Sequence, residues 1–329
     1  MSVTIFGLDL TLNPIAFTLP LGNRHWDIYW YGIIIAMGFL LALIYGIKNA
    51  PRYNLNTDRM LDVVLVAVPV AILSARAYYV IFDGEKLESI GDFFGFGDSS
   101  GFSGLAIYGG VIGAFVSGAL MCKIRKVKIL DMFDIAAAGF LIGQGIGRWG
   151  NFVNQEAFGG PTGSDWWGMT SQNVVDDFTA KGFDPEALAH PCFLYESIWC
   201  LAGFFILNHF SKKRKFSGQI VLMYCAWYGF GRAFIELLRT DSLMIGNIKV
   251  SALLSFILCI GAVSLLVFLL KRSKETVGED SYSNVFEEQA SGIISEAEHI
   301  DSNSDISAAE IETTNENLTE SEDNTDEIN

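Results

Sequence analysis

Charge is scarce in this chain. Of its 329 residues only 18% are Asp, Glu, Lys or Arg, while 51% are hydrophobic and mean hydropathy is +0.35. A soluble domain carries about 25% charged residues, so an ordinary water-soluble enzyme is excluded. No lysine or arginine precedes Arg24. The N-terminus therefore lacks the basic region of a cleavable signal peptide. The five cysteines (Cys122, Cys192, Cys200, Cys225, Cys259) mostly lie in apolar runs without metal-type spacing. Neither a disulfide framework nor a metal centre is expected from them. A basic surface of the size nucleic acid requires is missing too, which excludes that partner.

What charge there is has been segregated. From Glu275 to Asn329 there are 17 acidic residues and no lysine or arginine, so 20 acidic residues and all 22 lysines and arginines remain in the preceding body. A near-neutral apolar body of residues 1–274 is thus joined to a polyanionic tail, 275–329. The tail is polar and poor in aromatics, and disorder is expected of it.

The body carries apolar stretches at 28–47, 60–82, 105–122, 132–148, 192–210, 219–236 and 250–270. Each approaches the ~20 residues that span a bilayer core, the fourth being the shortest. The expected fold is an all-α integral membrane protein of seven transmembrane helices. Loops after the first, third, fifth and seventh stretches hold 14 basic residues, and the opposite face holds 5: Arg24, Lys86, Lys181, Arg239 and Lys249. By the positive-inside rule the N-terminus is outside and the tail cytoplasmic. Two exterior segments stand out, the glycine- and acid-rich 83–104 and the forty-residue loop 149–191. The second is long enough to form a small extracytoplasmic head.

Three basic residues remain within the helices, and all are arginines: Arg76, Arg148 and Arg232. An ionised group at that depth is costly and marks function by default. Arg76 suits a snorkelling anchor equally well. In the expected topology all three lie toward the outer ends of their helices. Tyr31, Tyr108, Asn151, Asn154, Glu156, Glu196, Glu236 and Arg239 gather at the same depth, and no matching inward-facing set is apparent. Guanidinium groups match phosphate bidentately, and apolar walls suit acyl chains. Together they describe a site for an anionic phospholipid.

The local motifs are specific. Gly143-Gln-Gly-Ile-Gly147-Arg148-Trp149-Gly150-Asn151-Phe152-Val153-Asn154-Gln155-Glu156 closes the fourth stretch, with Gly143 and Gly147 spaced as a small-residue packing pair. In the sixth, Tyr228, Arg232, Glu236 and Arg239 recur at spacings of four, four and three, forming one polar stripe. Arg232 and Glu236 could simply neutralise each other there.

With these motifs the sequence resembles the bacterial prolipoprotein diacylglyceryl transferases over roughly residues 13–273. The resemblance rests on Gly147-Arg148-x-Gly150-Asn151-Phe152-x-Asn154-x-Glu156-x-x-Gly159. Trp30-Tyr31-Gly32, His190-Pro191-x-x-Leu194-Tyr195-Glu196 and the Tyr228–Arg239 stripe support it. It implies an enzyme of the bacterial cytoplasmic membrane that moves the diacylglyceryl group of phosphatidylglycerol onto the lipobox cysteine of an exported prolipoprotein. A thioether forms and glycerol phosphate leaves. The implied partners are phosphatidylglycerol, the prolipoprotein signal peptide and the bilayer, with no metal or soluble cofactor.

The resemblance further implies catalytic roles for Arg148, Arg232, Glu156 and Tyr108. Substrate binding would fall to Tyr31, Asn151, Asn154, Gly109, Gly110, Glu196, Tyr228, Glu236 and Arg239. The arginines would stabilise the departing phosphate. Glu156 would either hold an arginine or take part in proton transfer. The family commonly has histidine where this chain has Tyr108, before Gly109-Gly110. A tyrosine's reference pKa near ~10 makes it a poor base. Either Tyr108 only hydrogen-bonds the lipid or another group, such as His25 or His190, takes the proton. The competing readings are another outer-leaflet phospholipid-processing enzyme and a seven-helix transporter or receptor without catalysis.

Overall fold

A computed structural model describes residues 2–21, 24–83, 93, 104, 106–240, 244–245 and 248–277. The tail beyond 277 and nearly all of 84–105 lie outside the described residues. The chain divides into two units, Met1–Phe268 and Leu269–Asn329; of the second, residues 269–277 are described and are helical.

The helices are α1 (Trp30–Asn49), α2 (Thr57–Asp83), α3 (Ile107–Ile124), α4 (Ile129–Val153), α5 (Gln172–Lys181), α6 (Cys192–Ser211), α7 (Gln219–Leu238) and α8 (Val250–Val277). Six of them, all but α3 and α5, are long and apolar enough to cross a membrane. The apolar run of α3, Tyr108–Ile124, is shorter. The chain is thus an integral membrane protein by its helices. The fourth apolar stretch is the shortest, yet its helix α4 extends beyond it to 25 residues. Asp131 and Arg148 interrupt its hydropathy without interrupting its helix. Large side chains such as Leu65, Val116, Phe205 and Leu254 project from the bundle. An apolar exterior of this extent is expected where lipid replaces water as solvent.

Small residues set the helix contacts. A Cβ on Gly38 of α1 would sit 3.4 Å from the Gly143 backbone in α4. A Cβ on Gly143 or on Gly147, the packing pair read from sequence, would itself meet nothing within 4 Å. Gly109 and Gly113 bring α3 onto the Ser74 turn of α2, where a Cβ would collide. Ser197 of α6 donates to the Gly145 carbonyl of α4 at 2.7 Å.

Two features depart from the sequence reading. The first is β-structure, in a chain expected to be all-α. β1 (Ser2–Ile5) pairs antiparallel with β2 (Leu8–Thr11) and, across the chain, with β5 (Met169–Ser171). β3 (Ile15–Leu21) pairs with β4 (Arg24–Tyr29), which runs directly into α1, and β6 (Met244–Ile245) with β7 (Ile248–Lys249). Strands of two to seven residues leave little trace in hydropathy, and the β1–β5 pairing is non-local. Val3 joins Phe152, Met169, Val174, Phe178, Ala189 and Phe193 in a small apolar core beneath α5. Ser171 caps α5, and Gly182, at φ 72°, ends it. The 149–191 segment is therefore folded over the end of α4.

The second departure is another polar set, at the opposite end of the bundle. Arg214 Nη1 lies 2.8 Å from both Asp131 and Asp134, whose carboxylates are fully buried. Asp134 also accepts the Gly218 and Val221 amides at 2.8 Å each, pairing two N–H groups at the start of α7 that the helix itself cannot satisfy. Nearby, Arg52 donates to Asn208 at 2.9 Å and Tyr45 pairs with Tyr53 at 2.8 Å. From sequence, Arg214 had counted as a loop charge. Its burial depends on Asp131 and Asp134, which share a face at i, i+3.

Candidate active site

The end of α4, the start of α6 and the end of α7 meet at Glu196. This carboxylate is 3% exposed and holds two arginines from two other helices. Its Oε2 lies 2.5 Å from Arg148 Nη2, and its Oε1 accepts from Arg232 Nη1. Arg232 Nη2 reaches Glu236 Oε2 at 2.5 Å, one turn along α7. Arg239 Nη1 approaches Glu196 at 3.8 Å. The neutralising pair read from the 232/236 spacing is real, but it is part of a larger constellation.

Three guanidiniums face two buried carboxylates here. The arginine side chains retain 20%, 19% and 12% exposure against 3% for each glutamate. The cations thus occupy the accessible side and the anions the buried side. Leaving an isolated charge at this depth would cost several kcal/mol, and pairing meets that cost. The surplus positive charge suits an incoming anion.

A second chain of contacts runs outward from Arg148. Its Nη1 donates to Asn151 Oδ1 at 3.4 Å, and Asn151 Nδ2 donates to Glu156 Oε1 at 2.8 Å. Asn154 Nδ2 approaches the same oxygen at 3.5 Å. Glu156 is exposed and reaches Arg148 through Asn151.

The motif glycines have packing reasons. A Cβ on Gly150 would lie 2.7 Å from the ring of Tyr31, so Gly150 seats that ring against α4. Gly159 lies between His190, Cys192 and the Leu238 carbonyl, and its backbone bridges Arg239. It ties the loop after α4 to the start of α6 and the end of α7.

The structure adds residues that sequence did not single out. Lys249 Nζ donates to the carbonyls of Glu236, Leu237 and Arg239 at 3.0, 3.0 and 2.5 Å, capping the C-terminus of α7. A cation there also opposes the helix dipole. Tyr224 stacks on Tyr228 at 5.6 Å and accepts from Gln144 at 3.0 Å, so Tyr228 stands in an aromatic wall beside the arginines. No spacing rule finds Lys249, because β6 and β7 bring it back in space.

Tyr108, Gly109 and Gly110 lie elsewhere. Gly109 and Gly110 pack on α2 beside Ala75. Tyr108 is 73% exposed, its ring 6.5 Å from that of Tyr78. No contact between Tyr108 and the Glu196 cluster occurs among the described residues. Arg76 is buried against the Phe93 and Gly104 carbonyls, at 3.2 and 3.4 Å. His25 is exposed on β4. His190 Nδ1 lies 3.2 Å from the Tyr195 hydroxyl, which accepts from Trp167 Nε1 at 2.8 Å. Burial lowers the His190 pKa below its ordinary value, favouring the neutral ring.

The family model described as prolipoprotein diacylglyceryl transferase matches residues 14–268. Similar proteins include the phosphatidylglycerol–prolipoprotein diacylglyceryl transferase of Clostridioides difficile strain 630, 38% identical over 273 residues. That alignment covers 82% of this chain and all of the relative. The protein of the same name from Pediococcus pentosaceus is 42% identical over 267 residues, covering 80% of this chain and 92% of the relative. The Bacillus velezensis counterpart is 39% identical, covering 78% and 92%.

Proposed function

The chain belongs to the prolipoprotein diacylglyceryl transferase family, and we propose that its Glu196-centred arginine cluster is where the transfer takes place. The protein is a membrane transferase of the first step in lipoprotein maturation, with phosphatidylglycerol as lipid donor. The observation that carries the site is one buried carboxylate gripping Arg148 and Arg232 from two helices.

In this reading the phosphate of the lipid enters on the accessible side of Arg148, Arg232 and Arg239, while Glu196 and Glu236 fix those guanidiniums from behind. The acceptor is the lipobox cysteine. Its thiol gives up a proton, and the sulfur attacks the glyceryl carbon bonded to the phosphate oxygen. A C–S bond forms as the C–O bond breaks, and glycerol phosphate leaves with the electron pair. Negative charge grows on that leaving group, and preorganised cations already sit there with no rearrangement to make. The fork of arginine matches phosphate oxygens in pairs. Glu156, exposed and oriented by Asn151 and Asn154, is placed to accept a proton. Tyr31 and Tyr228 line the approach. Tyr108 orients lipid between α2 and α3 and is not the base.

The wider arrangement fits the same reading. Seven spans, α3 included, place the N-terminus and head outside the cytoplasmic membrane of a bacterium and the 275–329 tail in the cytoplasm, with 1–274 as the transferase body. The charge bias of the loops supports that orientation.

The test is to incubate membranes holding the protein with phosphatidylglycerol and a lipobox peptide. A mass gain of one diacylglyceryl unit on the peptide, with glycerol phosphate released, is expected. A serine-substituted peptide should gain nothing. Lipid cleavage without peptide modification would favour a different phospholipid-processing enzyme.

A further inference from the structure

Helices α6 and α7 share a reciprocal contact one turn from the Glu196–Arg232 ion pair. The indoles of Trp199 and Trp227 stack with centroids 4.2 Å apart and planes 13° from parallel. Each indole N–H then donates to the other residue's backbone carbonyl: Trp199 Nε1 to Trp227 O and Trp227 Nε1 to Trp199 O, both at 3.0 Å. Each carbonyl is open because the residue four positions on is glycine, Gly203 after Trp199 and Gly231 after Trp227. A helical side chain covers the turn N-terminal to its own Cα, so any Cβ at position i+4 would shield that oxygen. A Cβ built on Gly203 collides with the Trp227 indole, and one on Gly231 collides with Trp199. The two helices thus carry the same Trp-x-x-x-Gly device, pointed at each other.

From this geometry we infer that the Trp199–Trp227 clasp positions Arg232 for transfer, by fixing the register of α7 against α6. The inference rests on the functional reading above. Gly231 is the immediate neighbour of Arg232, and Trp199 follows Glu196 by three residues. A slip of one residue along a helix moves a side chain by 1.5 Å and turns it by 100°. Arg232 would then leave Glu196 and the phosphate site together. Stacking alone permits sliding along the helix axis. The paired hydrogen bonds do not, since each indole N–H is held at 3.0 Å by one carbonyl of the facing helix. At membrane depth no water replaces a lost N–H partner, which makes the register costly to leave. Trp199 and Trp227 are positioning residues, acting on Arg232 through the register of the two helices.

The test uses the full chain in lipid nanodiscs, with transfer from phosphatidylglycerol to a lipobox peptide as readout. Gly231→Ala, which drives a methyl into Trp199, should lower kcat at least tenfold and abolish the exciton signal of the stacked indoles in circular dichroism. Trimming the facing ring in Gly231→Ala/Trp199→Leu should recover much of that loss in kcat. Trp199→Phe/Trp227→Phe keeps the rings without the N–H donors and is the variant least prone to misfold. In it kcat should fall several-fold, and adding Arg232→Lys should cost less than it does in the native background, because the arginine is already misplaced. A folded double-Phe variant with native kcat and KM, or strictly additive losses with Arg232→Lys, would overturn the clasp. An inert wild-type protein would instead overturn the functional reading on which it rests.

Discussion

Arg148 and Arg232 come from helices far apart in the chain and are held on opposite oxygens of the same carboxylate, Glu196. Their separation is therefore set by a rigid group and not by two flexible side chains. That arrangement decides which substitutions the site tolerates.

Arg148→Lys and Arg232→Lys should each lose most transfer activity while the protein still inserts and folds. Lysine keeps the charge but cannot reach a Glu196 oxygen and a phosphate oxygen with one planar fork. Removing a preorganised donor to a developing anion typically costs roughly a hundredfold to a thousandfold in rate. Initial rates on purified, correctly folded variants measure this. Native turnover in either would mean that charge alone suffices.

Asp134→Asn should behave in the opposite way. It breaks the pair with Arg214 and weakens the cap on α7, at the end of the bundle remote from Glu196. Truncating one partner of a buried ion pair costs about 3–5 kcal/mol. Thermal unfolding should drop by several degrees or more, with kcat of the surviving folded protein within about twofold of native. A large kcat loss without a change in melting would show that the two ends are coupled.

Tyr108→Phe should slow transfer by no more than about tenfold, the value of one hydrogen bond. Tyr108→His should be tolerated. The side chain is exposed, and among the described residues no contact joins it to the arginines. Rates across a pH series for the three forms decide this. A Tyr108→Phe variant as inactive as Arg232→Lys, with lipid binding intact, would make tyrosine the proton acceptor.

His190 gives a pH signature in stability. Its pKa in the fold is lowered by burial from the ordinary 6.5. The unfolded chain therefore takes up a proton before the folded one does, so stability is fully present above about 6.5. It declines as pH falls below that value and through the lowered pKa. His190→Gln should flatten this part of the melting-temperature profile. An unchanged profile would remove His190 as its source.

Sequence reasoning reached the membrane helices because hydropathy is local and long. It also reached the Glu196 constellation, because arginines at membrane depth are conspicuous and the 228–239 stripe follows helix periodicity. Tyr108 was drawn toward that constellation by its depth and by the family position it occupies. Depth along the bundle says nothing of which helices touch, and α3 packs on α2. The Arg214 set was invisible for a related reason: a loop cation reads as solvated until its buried partners are known. Lys249 and the β1–β5 pairing depend on contacts between segments that no short window contains.

That strand pairing has a consequence for biosynthesis. Roughly 165 residues separate Ile5 from its partner Met169. At a synthesis rate of about 5–20 residues per second, β1 waits on the order of ten to thirty seconds for its neighbour to appear. During that interval α1 to α4 can enter the membrane, while β1 is paired with β2 alone and its β5 edge stays open. Val3 can meet Met169, and Val174 and Phe178 of α5, only after those residues have been made. The head closes over the end of α4 late, and any delay in translation between α4 and β5 would prolong the exposure of a short apolar strand outside the bundle.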